Sequence, residues 1–257
     1  MPKLQGLSVD DVNKTVHGFQ YTNVSIDKLG ATEYTIVQMV SDQSGSVSAF
    51  KAALEGMLVT SVDACKKSPR AENLLYRTTA FNSKFGGQSC VDEIHGFSLL
   101  SSLDPAQFKD CLSPNGGTPL YDATMEAVDA LYDYGKKLYK QKFLCNAILF
   151  ILTDGEENAS TAVSNPADIK VAIERVRSEG IVESLRTILI GVNDADQHFK
   201  DYLESFRKDA GLDEYVSIGN ASPGKLAKLA QFVSQSVSSQ SQALGSGGVS
   251  QPVSFKF

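Results

Sequence analysis

A chain of 257 residues with 42% apolar content is long enough for one large domain or two small ones, and for a sizeable core. Its net charge of −6 leaves no basic stripe to neutralise phosphates. Trp is absent and no aromatic–basic interleaving offers a stacking platform, so nucleic acid is not an expected partner. No apolar run approaches the ~18 residues a membrane helix needs, so no membrane partner is expected either. The opening MPKLQGLSVDDVNK has no apolar signal-peptide core. Cys65, Cys90, Cys111 and Cys145 are widely spaced, with no C-x-x-C pair and no His at metal-ligand spacing, and read as reduced, mostly buried thiols. Both features point to a cytoplasmic protein.

Strand and helix signals alternate along most of the chain. FQYTNVSI-DKLG-ATEYTIV near the N-terminus reads as a hairpin in which residues 1–33 extend the first core strand. YTIVQMVS, 34–41, is β-branched and apolar on both faces, the pattern of a central, doubly covered strand. Val47, Phe50, Leu54, Leu58, Val62 and Cys65 then fall at helical spacing. NLLYRTTAF (73–81) and VDEIHGFSLL (91–100), separated by a Gly-Gly turn, read as antiparallel partners. Asp104-Pro105 is a helix start, with a capping residue followed by Pro at the first helical position. From Leu120 to Leu138 the apolar positions describe a long amphipathic helix.

AILFILT (147–153) and RTILIGV (186–192) are further buried strands. Ile169, Ala172, Ile173 and Val176 stripe the helix between them. Phe199, Tyr202, Leu203, Phe206 and Ala210 stripe the next, ended by Gly211. EYVSIG (214–219) closes the strand series, and Leu226, Leu229, Ala230, Val233 and Val237 stripe the last helix. Strands alternating with helices imply an α/β fold with a mostly parallel sheet covered on both faces. The Ser/Gly/Gln-rich residues 238–257 read as a flexible tail.

In an open parallel sheet, ligands bind in the loops beyond the carboxyl ends of the strands. Three polar loops belong to that edge: Asp42-Gln43-Ser44-Gly45-Ser46, Asn115-Gly116-Gly117-Thr118-Pro119, and Thr153-Asp154-Gly155-Glu156-Glu157. Together they offer Asp42, Ser44, Ser46, Thr118 and Asp154 to one centre. An oxygen-only set suits a hard cation, Mg²⁺ first, with Mn²⁺ or Ca²⁺ admissible. Three of the five donors are neutral hydroxyls, so a dication would keep residual positive charge. Such a site welcomes a carboxylate from outside, which is binding chemistry rather than hydrolysis.

D-x-S-x-S after a buried first strand, a Gly-Gly-Thr loop, and T-D-G after a later strand resemble, in that order, the von Willebrand factor A domain and its metal-ion-dependent adhesion site (MIDAS). The resemblance covers about 34–237. It implies Asp42, Ser44 and Ser46 as the first ligand set, Thr118 as the middle ligand, and Asp154 as the last, often through water. It also implies a doubly wound, Rossmann-like six-stranded sheet of order 3-2-1-4-5-6, the third strand antiparallel. The implied function is non-enzymatic: a metal-dependent protein–protein interaction module that takes an acidic residue of a protein partner. Many intracellular bacterial members are similar in lacking a signal peptide, and some work alongside AAA+ ATPases.

Other readings stand beside this one. Asp42, Ser44 and Ser46 are also the residue types that cap a helix starting near Val47. Glu156 and Glu157 read as solvated or as favouring a helix N-terminus, and Asp122 as serving the first turn of its own helix. Asp194 and Asp196 lack the Gly and terminal Glu of an EF-hand and read as turn residues. A Mg²⁺-dependent hydrolase or phosphoryl-transfer enzyme would use the same carboxylates. It lacks a Walker loop, however, and none of His17, His95 and His198 follows a loop of this edge. A metal-independent scaffold is the third reading.

Overall fold

A computed structural model describes residues 11–15, 17–83 and 89–246. The chain runs β1 (Asp11–Lys14), β2 (Gln20–Asn23), β3 (Glu33–Asp42), α1 (Lys51–Lys66), β4 (Leu74–Phe81), β5 (Val91–Leu99), α2 (Leu120–Lys140), β6 (Leu144–Thr153), α3 (Pro166–Ser178), β7 (Ser184–Gly191), α4 (Gln197–Asp209), β8 (Glu214–Ser217) and α5 (Pro223–Ser246). One mostly parallel sheet has the order β1-β2-β5-β4-β3-β6-β7-β8. β5 runs antiparallel to β4, and β1 antiparallel to β2. Among the described residues no helix is long and apolar enough to cross a membrane.

The central strands are apolar on both faces because each face is covered. Ile36 and Val40 of β3, with Leu149 and Ile151 of β6, pack toward α2, α3 and α4. Their neighbours Val37, Met39, Ile148 and Phe150 pack toward α1 and α5. This period-two division between two cores is what a doubly covered sheet demands.

Three expectations are corrected. The sheet has eight strands, not six, and its full order differs from the expected one because β1 and β2 lie outside β5. Second, β2 forms no hairpin with β3. It pairs antiparallel with β1 and parallel with β5, Asn23 opposite Phe97. Gly96 makes this approach feasible, since a Cβ there would overlap the backbone and hydroxyl of Thr22. Third, the tail from 238 is helical as far as Ser246. Gln240 is buried; its carbonyl accepts from Asn146 Nδ2 at 2.8 Å and its amide donates to Ser184 Oγ at 2.6 Å. The SFKF terminus and the Gly-Gly turn at 86–87 lie outside the described residues.

Between β4, β5 and α2 lies a buried ionic cluster. The fully buried Arg77 donates to both carboxylate oxygens of Glu126, at 2.7 and 3.1 Å, and through Nε to Glu93 at 2.7 Å. Burial alone would lower the Arg77 pKa, but Glu126 and Glu93 outweigh it and hold the guanidinium firmly protonated. Glu93 also accepts the Thr22 amide at 3.0 Å and the Thr22 hydroxyl, tying β2 to the ionic cluster.

Candidate metal centre

The carboxyl ends of β3 and β6 sit side by side because the two strands pair in register through Ser41 and Leu152. Asp42 ends β3 and Asp154 follows β6. The 45–49 segment is a 3₁₀ turn, and neither it nor α1 has a side-chain N-cap. Instead, the polar side chains face one another. Asp42 Oδ1 accepts the Ser44 amide at 2.7 Å, and Oδ2 accepts the Thr153 hydroxyl at 2.7 Å. The Ser44 and Ser46 hydroxyls lie 3.1 Å apart, and Ser46 donates to Asp154 Oδ1 at 2.8 Å. Four of the five expected donors therefore form one hydrogen-bonded chain.

Thr118 joins them through its loop. Gly45 N donates to Gly116 O at 3.0 Å, binding the first loop to the second. The Thr118 hydroxyl stands 3.7 Å from the point a Cβ on Gly155 would occupy. Thr118 is buried, and its hydroxyl has no hydrogen-bond partner among the described residues.

Both carboxylates are electrostatically uncomfortable. Burial, then the charge of Asp154, pushes the Asp42 pKa from its ordinary 3.8 up to about 6, against the hydrogen bonds from Ser44 and Thr153. Burial also raises Asp154, partly offset by Ser46. No cationic side chain among the described residues stands beside either one. Among those residues no three His, Cys, Asp or Glu side chains gather as a metal cluster. The constellation is two carboxylates and three hydroxyls, a donor chemistry that fits a hard dication and not a softer metal.

Several positioning residues escaped sequence reasoning. Gln43 is buried. Its Oε1 accepts Ser113 N at 2.9 Å, its Nε2 donates to Asp92 at 2.7 Å, and its carbonyl accepts Asn115 N at 3.1 Å. It fastens the first loop to the approach to Thr118. Of the two readings of Glu157, solvated or at a helix N-terminus, the second holds, since it meets the first turn of α2. It accepts the amides of Tyr121, Ala159 and Ser160 at 2.9, 2.7 and 2.6 Å. Glu156 pairs with His198, Nε2 to Oε1 at 2.8 Å. That pair brings His198 to the third loop, contrary to expectation.

Asp122 likewise serves more than its own helix, accepting the amides of Thr161, Ala162 and Val163 at 2.8, 3.1 and 2.7 Å. A carboxylate is the only side chain that accepts so many amides at once. Asp122→Ala is expected to lower stability by roughly 3 kcal/mol, the order for losing several charge-assisted bonds, and to expose 155–165 to proteolysis. Urea unfolding and limited digestion check this, and parent-like values in both refute it.

The remaining titratable groups lie elsewhere. His95 is buried in β5, its Nδ1 3.0 Å from Gly96 O, and burial lowers its pKa to about 4. His17 contacts the buried Asp129. Asp194 is buried and accepts Gly219 N at 2.7 Å, while Asp196 caps α4 through His198 N at 2.7 Å. All four cysteines are free thiols, Cys65 and Cys145 buried and Cys90 and Cys111 partly so. A cavity of about 300 Å³ lined by His17, Met125, Val163 and Arg175 lies against α2 and α3, lined by none of the five donors.

No protein-family model matches this sequence, and no curated protein matches it. Solved structures share the fold. The PilB minor pilin from Streptococcus sanguinis is 16% identical at a TM-score of 0.58, over 85% of this chain and 64% of that one. The pilus adhesin SpaC from Lactobacillus rhamnosus GG is 12% identical at 0.57, over 82% of this chain and 31% of the adhesin. This chain thus spans less than two thirds of the length of either. The manganese-loaded TRAP protein of Plasmodium vivax is 17% identical over 73% of this chain and 69% of its own, at a TM-score of 0.43, too distant to argue from.

Proposed function

We propose that this chain is a von Willebrand factor A-like module that binds a protein partner through a divalent cation, without catalysis. The observation that carries this reading is the pair of buried, unpaired carboxylates, Asp42 and Asp154, set among hydroxyls at the carboxyl edge of a parallel sheet. Asp42, Ser44, Ser46, Thr118 and Asp154 would hold the ion, Mg²⁺ first, with Mn²⁺ or Ca²⁺ admissible. When bound, the cation supplies a Lewis-acidic position for an outside oxygen. The chain's own part is to fix the donors and to leave the ion's charge incompletely neutralised, so that an acidic side chain of a partner completes it. The run β5-β4-β3-β6-β7-β8 within the sheet supports the family reading.

Partners are proteins, not nucleic acid or membrane, and an AAA+ ATPase system belongs to this proposal. The free thiols suit a cytoplasmic setting. The pilin and adhesin likenesses suit a surface one instead, and fractionation decides between them.

Purified chain should take up Mg²⁺ in titration calorimetry. Asp42→Ala abolishes uptake, while Ser44→Ala, Ser46→Ala and Asp154→Ala weaken it. Partner capture should require Mg²⁺ and disappear with chelator or with Asp42→Ala. Equal capture with and without chelator refutes the reading and favours a metal-independent scaffold. A second reading, a Mg²⁺-dependent hydrolase or phosphoryl-transfer enzyme, gains one observation. His198, held by Glu156 two residues beyond Asp154, supplies a base near the loop. Turnover of a phosphate ester, lost in Asp42→Ala and His198→Ala, would establish it.

A further inference from the structure

We infer that Asn158 is a positioning residue that sets Thr118 in place as a cation ligand; the inference rests on the proposed reading of the site. Asn158 clasps the Thr118 peptide from both sides. Its Oδ1 accepts Thr118 N at 2.8 Å, and its own backbone N donates to Thr118 O at 3.1 Å. The approach is so close that a Cβ on Gly117 would collide with Asn158 Oδ1, which gives this glycine its reason. On the preceding peptide Ser83 makes the matching clasp, its Oγ accepting Gly117 N at 2.6 Å and its N donating to Gly117 O at 3.0 Å.

The Thr118 hydroxyl has no hydrogen-bond partner of its own among the described residues, so no polar contact but those of its backbone holds it in place. Of the two polar groups that fix that backbone, one is the Asn158 side chain. Asn158 belongs to the loop that begins at Asp154, and it fastens the second loop to the third. Its side chain is exposed, so truncation opens no cavity. Its effect passes through the Thr118 amide. Residues that orient metal ligands from outside the coordination shell typically control affinity by 10–100-fold.

The test is a double-mutant cycle read by titration of the full chain with MgCl₂. Asn158→Ala should weaken Mg²⁺ binding by about tenfold or more. In a Thr118→Ala background the same change should cost less than about twofold, because two residues acting through one atom are non-additive. Asn158→Asp keeps the acceptor and should bind at least as tightly as the parent. In metal-free protein, Asn158→Ala should speed amide exchange at Thr118 while the unfolding midpoint stays near the parent's. Additive effects in the cycle, or unchanged affinity in Asn158→Ala, overturn the inference. A parent that takes up no Mg²⁺ overturns the reading of the site together with the inference, and the silent parent titration tells that failure from an additive cycle.

Discussion

In chelator at pH 7.5, Asp42→Asn unfolds at a higher temperature than the parent, although it has lost the ability to bind Mg²⁺. The Asp42 carboxyl is buried beside Asp154 without a cation, and its pKa rises from 3.8 to about 6 on folding. A folded-state value above the unfolded one means that ionising Asp42 opposes folding. The penalty is fully present above about pH 6 and vanishes below the unfolded value. Its size at neutral pH is on the order of 3 kcal/mol. Asn keeps an acceptor for the Ser44 amide and a polar neighbour for Thr153, and it carries no charge. The stability difference between Asp42→Asn and the parent should shrink as pH falls from 7 toward 4. Mg²⁺ at about a thousand times its Kd should reverse the order, since an ion that binds only the folded parent then adds about 4.1 kcal/mol. Thermal melts over pH, with and without Mg²⁺, read all of this. A variant less stable than the parent in chelator at pH 7.5 overturns the electrostatic account.

The second large effect concerns stability rather than binding. Arg77→Met should destabilise the chain by about 3–5 kcal/mol, because Glu126 then stays buried with no counter-charge. Arg77 and Glu126 are both fully buried and joined by two hydrogen bonds. Adding Glu126→Gln should recover a good part of the loss, since an amide is far cheaper to bury than a carboxylate. Arg77→Lys should fall between, as a single ammonium cannot reproduce the fork that serves Glu126 and Glu93 together. Guanidinium unfolding at neutral pH measures each variant. A loss below about 1 kcal/mol in Arg77→Met would show that Glu126 is neutral when buried.

How much of this was legible follows from what each signal encodes. The strands β3, β6 and β7 announce themselves because a doubly covered strand must be apolar throughout, and length separates it from a helix. The three donor loops are legible because short polar residues interrupt those strands at one edge. β1 is not legible, because DVNK carries almost no apolar signal. The strand in FQYTNVSI is legible but its partners are not, since β2 gains its place through pairing with β5 far along the chain. Local pattern cannot report such pairing.

The end of α5 fails for a different reason. Ser and Gln suggest a solvated tail, yet Gln240 finds buried partners on β6 and β7 that only the folded sheet provides. Gln43, Asp122, Glu157 and Asn158 were hidden because each acts on backbone amides of another segment. Composition cannot show which amides a carboxylate or carboxamide will meet.

The tie between Thr22 and Glu93 has a consequence for where this module can be cut. A fragment starting at the first core strand would seem complete by its pattern of buried strands. It would nonetheless strip β2 from Phe97 and leave Glu93 without the Thr22 amide and hydroxyl, while Arg77 still depends on it. Grafting or trimming of this unit therefore has to keep everything from residue 11 onward, since the N-terminal ribbon shields an internal charge as well as an edge.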